Sequence, residues 1–168
     1  MRKIIAVLMV FLMATVVLLL GGNSTEVLAE KKANPVKERQ KLMRSVGKAM
    51  QISVKMLKGK IAYDGAQIAS RMKVMNEVAG KFNDDFSRLF PKGSDDENSI
   101  MDFDQESSAK GEIWNQIDDF KMKAGELKTA SAVALKQAGD KAAFAKSLEN
   151  VGKSCKGCHQ KYKANKKE

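Results

Sequence analysis

Four stretches of this chain repeat their apolar residues at helical spacing, and Gly and Pro are scarce inside them. The first runs from about Val36 to Lys58, with Leu42, Met43, Val46, Met50, Val54 and Leu57 at steps of one, three and four. Pro35 stands where a first-turn proline belongs, and Gly59 where a C-terminal cap belongs. The second opens at Asp64, a good N-cap, carries Ile68, Met72, Met75, Ala79, Phe82, Phe86 and Leu89, and stops at Pro91. Residues 92–110 break the rhythm with Asp95, Asp96, Glu97, Asp102, Asp104 and Glu106, an expected acidic surface loop. The third helix is expected from about Ser108 to Ala138, with Ile113, Trp114, Ile117, Phe120, Ala124, Leu127, Ala134 and Leu135 on one face. Gly139-Asp140 turns the chain into a fourth, from about Lys141 to Tyr162, with Phe144, Leu148, Val151, Cys155 and Tyr162 inward. No segment alternates with the period of two that a strand needs. Four amphipathic helices with mostly short connections predict an all-α, antiparallel up-down-up-down four-helix bundle.

The 29 residues at the N-terminus stand outside this pattern. Arg2 and Lys3 precede an almost unbroken apolar run from Ile4 to Leu20, and a polar stretch leads to Val27-Leu28-Ala29. That order is a signal peptide, with cleavage expected after Ala29. The expected domains are therefore 1–29, removed on export, and 30–168, the bundle. Cleavage leaves no membrane span and points to a periplasmic location. The remainder carries 28 basic against 19 acidic residues. Export and the lack of aromatic residues interleaved with basic ones argue against nucleic acid. A basic surface of this kind suits an acidic protein partner or anionic lipid.

Both cysteines of the chain fall inside Cys155-Lys156-Gly157-Cys158-His159. Two thiols three residues apart can each bond a vinyl group of one porphyrin, and the next residue then offers an imidazole to the iron. This is the attachment signature of c-type haem. A closed zinc site wants four ligands, and the chain has two Cys and one His to give. A thioredoxin-like pair wants a βαβ setting that is absent. His159 is the only histidine, which removes bis-histidine ligation and leaves Met, Lys, water or nothing for the sixth position.

Seven methionines follow the signal peptide: Met43, Met50, Met56, Met72, Met75, Met101 and Met122. In an up-down-up-down bundle His159 lies level with the early part of the first helix. Met43 sits about 10–12 Å along that helix and Met50 roughly 10 Å deeper. Met43 is thus the best-placed thioether. The same end gathers Phe82, Phe86, Leu89, Phe90, Trp114, Ile117 and Tyr162 around the macrocycle. Arg39, one turn before Met43, is a candidate partner for a haem propionate.

A bundle ending in Cys-x-x-Cys-His resembles the class II cytochromes c, the cytochrome c′ family. The resemblance spans 34–163. It shows in Arg39-Gln40, Lys58-Gly59 followed by Tyr63-Asp64, Leu89-Phe90-Pro91, Ile113-Trp114, and Val151-Gly152-Lys153-Ser154-Cys155 leading to Tyr162. The family divides at the position three after the Gln40 equivalent. High-spin members leave the iron five-coordinate and bind small gases such as NO or CO; a low-spin branch supplies Met there and transfers electrons. Met43 and the long acidic segment are similar to the low-spin branch. The resemblance therefore implies an electron carrier with His159 and Met43 on the iron, with a gas binder as the alternative and an enzyme in neither case. Lys163 stands where many relatives have Arg. Lys153, Lys156, Lys161, Lys163, Lys166 and Lys167 would ring the haem edge and steer an acidic redox partner. A homodimer through the first two helices follows from the resemblance alone.

Overall fold

The computed structural model describes residues 34–165; the signal-peptide expectation for 1–29, and Lys166 and Lys167, lie outside the described residues. Four long helices carry the fold: α1 (Pro35–Leu57), α2 (Gly65–Asp84), α6 (Ile117–Lys136) and α7 (Lys141–Tyr162). Three short ones, α3 (Phe86–Leu89), α4 (Ser99–Phe103) and α5 (Glu112–Asn115), lie between α2 and α6. None of the described helices is long and apolar enough to cross a membrane.

The helix ends follow local chemistry. The Asn34 side chain accepts from Val36 N at 3.0 Å and Lys37 N at 3.1 Å, satisfying first-turn N–H groups that have no partner within the helix. Asp64 caps α2 through Gln67 N at 3.0 Å, and Asp140 caps α7 through Ala142 N at 2.8 Å. Gly59, just beyond α1, takes φ +68°, where a side chain would be strained.

Two of the expected helices are interrupted. At Asp85 the backbone turns to φ −102°, ψ 23°, so the second helix ends and restarts as α3. At Gln116 it turns to φ −137°, ψ 49°, separating α5 from α6. Residues before α5 are held elsewhere: Lys110 N bonds Tyr162 O at 3.1 Å, and Ala164 N bonds Ser108 O at 2.8 Å. Ala109 and Lys163 thus form a β-bridge. Helix at 108–111 would forfeit those bonds, so the third helix starts later than its apolar period suggests. The expected acidic loop contains one turn of helix, α4.

α2 packs along both α1 and α6, and α6 packs along α7. α1 and α7 have no comparable packing. At the end where α1 finishes and α7 starts, Met56, Ile68, Met72, Ala134, Phe144, Leu148 and Val151 are fully or almost fully buried. At the opposite end the seam between α1 and α7 holds a cavity.

Candidate functional site

The cavity measures about 390 Å³. Helix α1 walls it with Val36, Arg39, Gln40, Met43, Val46, Gly47 and Met50, which recur at three- and four-residue steps and so share one face. Helix α7 walls the other side with Ser154, Cys155, Cys158, His159 and Tyr162. Lys123, Ala124 and Leu127 of α6 and Ser107, Ser108 and Ala109 of the acidic segment add to the wall. The fold therefore brings Cys155, Cys158, His159, Met43 and Arg39 to one cavity.

Both thiols are half-buried. Burial pushes Cys155 up, and burial followed by the neighbouring Cys155 pushes Cys158 up to about 11. At neutral pH both stay protonated, which is the reverse of a thiolate poised for redox exchange. His159 keeps an exposed edge, and partial burial, then the charge of Lys163, holds it below the ordinary imidazole range. A neutral ring is the form a metal needs.

Phe82, Phe90 and Tyr162 line the cavity, but Phe86, Leu89, Trp114 and Ile117 do not. The kink at Gln116 explains part of this. It leaves Ile117 37% exposed and turns Phe120 inward instead. Phe120 packs edge-on against Phe90 at 4.8 Å and Tyr162 at 5.3 Å between ring centroids. Trp114 serves the wall from behind, donating from Nε1 to Phe90 O at 3.0 Å. Tyr162 donates its hydroxyl to Asp119, which also accepts from Lys161 at 2.8 Å. These contacts pin the last turn of α7, the turn after His159, onto α6.

Arg39 is 5% exposed and reaches three pieces of chain. Its Nη1 donates to Leu89 O at 2.8 Å and Ser94 Oγ at 2.7 Å. Its Nη2 donates to Ser94 O at 2.6 Å and Ser107 Oγ at 3.1 Å, and the guanidinium carbon lies 4.6 Å from the Phe90 ring centre. Burial lowers it to about 10, against the opposing pull of Asp95. The guanidinium hydrogen-bonds only neutral oxygens, so a buried cation at the cavity wall lacks a bonded anion; its Nε–H is the donor left over. That the group also clips down the acidic segment could not be read from spacing.

Among the lysines expected at the haem edge, Lys153, Lys156 and Lys163 are exposed, while Lys161 is engaged by Asp119. An apolar cavity with paired thiols, an imidazole, a thioether on the opposite wall and a buried cation fits haem c: thiols for the vinyl groups, imidazole and thioether for iron, cation for a propionate.

The family described as cytochrome c′ matches residues 34–163. Cytochrome c-556 of Agrobacterium tumefaciens (strain apple 185) is 32% identical over 126 residues, 74% of this chain and 90% of that one. Among solved structures, cytochrome c′ from Thermochromatium tepidum superposes with TM-score 0.65 at 25% identity, covering 78% of this chain and 95% of that chain. A second cytochrome c′, described as having ligand-controlled dimer dissociation, gives TM-score 0.65 at 24% identity and covers 78% and 95%.

Proposed function

Because the chain belongs to the class II cytochrome c family, that of cytochrome c′, and carries covalently attached haem c, we propose that it is an exported electron carrier with Met43 and His159 as axial ligands. The observation that carries this reading is the place of Met43. It stands midway between Val36 and Met50 on the α1 wall, across the cavity from Cys155, Cys158 and His159. When bound, the haem supplies a one-electron iron couple. The chain's own residues do the rest.

Cys155 and Cys158 hold the ring, and His159, kept neutral by its surroundings, gives the iron a nitrogen. A Met43 thioether would be the second protein ligand to the iron and would tend to raise the reduction potential. Arg39, whose Nη atoms are taken by the protein, would hold a propionate through its Nε–H. Exposed Lys153, Lys156 and Lys163 steer an acidic redox partner, so association should slow as salt rises. Export rests on the segment 1–29, which places the carrier in the periplasm. A second copy docked through α1 and α2 is the oligomer we propose, by analogy with the family; sedimentation of the loaded protein tests it. The reading assigns no enzymatic step to these side chains.

The test is an optical spectrum of the reduced protein before and after carbon monoxide. A carrier with the Met43 bond shows sharp low-spin bands and takes the gas poorly, and Met43→Ala makes it a gas binder. Ready binding by the unaltered protein would replace the carrier reading with that of a high-spin gas-binding protein. Replacing Cys155 or Cys158 with Ala should cost covalent haem under either reading.

A further inference from the structure

Every residue on the cavity face of α1 brings a side chain except one. Gly47 lies in the body of that helix, one turn after Met43 and three residues before Met50, and it lines the cavity with both. A glycine there weakens a helix by about 1 kcal/mol relative to Ala. Close packing explains such a residue at Gly65, where a β-carbon would fall 2.8 Å from Ala138 O; at the other helical glycines one would make ordinary contact or, as at Gly157 outside the cavity lining, none. A β-carbon on Gly152 would meet the Met50 methyl at 3.6 Å, and one on Gly80 would meet Lys128 Nζ at 3.6 Å. At Gly47 nothing of the protein lies within 4 Å of that position. The gap faces the cavity, and it is the one glycine among the described lining residues.

We propose that Gly47 is a clearance position, leaving the backbone of α1 open to the flat face of the cofactor beside the Met43 ligand. Resting on the ligation reading above, this makes residue 47 a control point for coordination state. Met43 alone does not secure its bond to the iron. The helix bearing it must come close enough for the sulfur to reach, and a side chain at 47, on the same face one turn away, would hold it off. Gly47 is a positioning residue, since it acts through Met43.

The test uses haem-loaded wild type, Gly47→Ala, Gly47→Val and, as a control for a β-branched residue in α1, Lys48→Val at an exposed neighbour outside the cavity. Each is titrated with carbon monoxide in the reduced state and melted thermally. We expect apparent affinity for the gas to rise about tenfold in Gly47→Ala and roughly a hundredfold in Gly47→Val, with a growing high-spin component. Lys48→Val should behave as wild type. A purely helical role predicts the opposite pattern for Gly47→Ala: a higher melting temperature, an unchanged spectrum and unchanged gas affinity. That result, with wild type low-spin, overturns the clearance proposal and leaves the Met43 ligation standing. A high-spin wild type removes both. If Gly47→Val fails to load haem, Gly47→Ala against Lys48→Val decides alone.

Discussion

The two ends of the bundle are built from the same four helices and packed in different ways. At one end Met56, Ile68, Met72, Phe144, Leu148 and Val151 close on each other, and all are at most 4% exposed. At the other end Met43, Met50, Cys155 and Cys158 stay only partly buried around a space of about 390 Å³. Apolar surface left uncovered forgoes about 25 cal/mol per Å². The closed end therefore holds the helices in register, and the hollow end gives up packing that a cofactor can supply. Stability and chemistry are divided along the length of α1 and α7, near the contact between Met50 and Gly152.

The most severe test of that division is Phe144→Ala. Phe144 is fully buried and does not line the cavity, and it lies eleven residues before Cys155, roughly 16 Å along the helix. Emptying its place should cost about 3–5 kcal/mol in denaturant unfolding of the loaded protein. The haem spectrum should be unchanged. A shifted spectrum at full loading would show that the two ends are coupled and the division false.

Arg39→Ala probes the boundary of the hollow end, with a smaller expected effect. It strands Leu89 O and Ser94 O and takes one bond each from Ser94 Oγ and Ser107 Oγ, which keep Pro91 O and Ala109 N as partners. We expect a loss of roughly 2–4 kcal/mol, given what a bond to a charged donor and an orphaned acceptor are each worth. Amide exchange should quicken across 94–107 and stay slow around Phe144. Equal loosening at both ends would mean that the clip serves the whole bundle.

This contrast also marks what could be read from the residues alone. Helices α1 and α7 were legible to within a residue because Pro35, Gly59 and the Gly139-Asp140 turn are local signals and their apolar period is unbroken. The meeting of Cys155, Cys158 and His159 with Met43 followed from bundle topology and the length of α1. The breaks at Asp85 and Gln116 did not, because the apolar period runs straight through both. What breaks the chain near 116 is competition from distant partners: Tyr162 O for Lys110 N, and Phe90 O for Trp114 Nε1. The same break decides why Phe120 rather than Ile117 faces the cavity. Arg39 was placed at the right end, but its grip on Ser94 and Ser107 depends on residues 55 and 68 positions away. Period and spacing carry no information about such pairs.

The finest distinction between the ends concerns acid. The closed end has an apolar interior and carries its carboxylates, Asp64 and Asp140, at helix N-caps, whereas the strap across the hollow end is organised around one. Asp95 Oδ1 accepts from Glu97 N at 3.0 Å, Asn98 N at 2.9 Å and Asn98 Nδ2 at 2.8 Å. Burial pushes its acidity toward weaker, but these bonds outweigh burial and hold it below the ordinary value of 3.8. A carboxyl group depressed by folding contributes stability that is complete above its unfolded value and is lost as pH falls through the folded one. The strap should therefore loosen only once pH drops below 3.8, while the closed end loses in that range only the Asp64 cap of α2 and keeps its apolar packing. Limited pepsin cleavage within 95–106 reads this directly. Wild type should turn from resistant to susceptible as pH is lowered through that range. Asp95→Asn, which cannot titrate, should be cut at a rate that no longer depends on the strap's protonation. Parallel acid profiles for the two proteins would move the acid sensitivity to some other group and leave Asp95 a neutral turn residue.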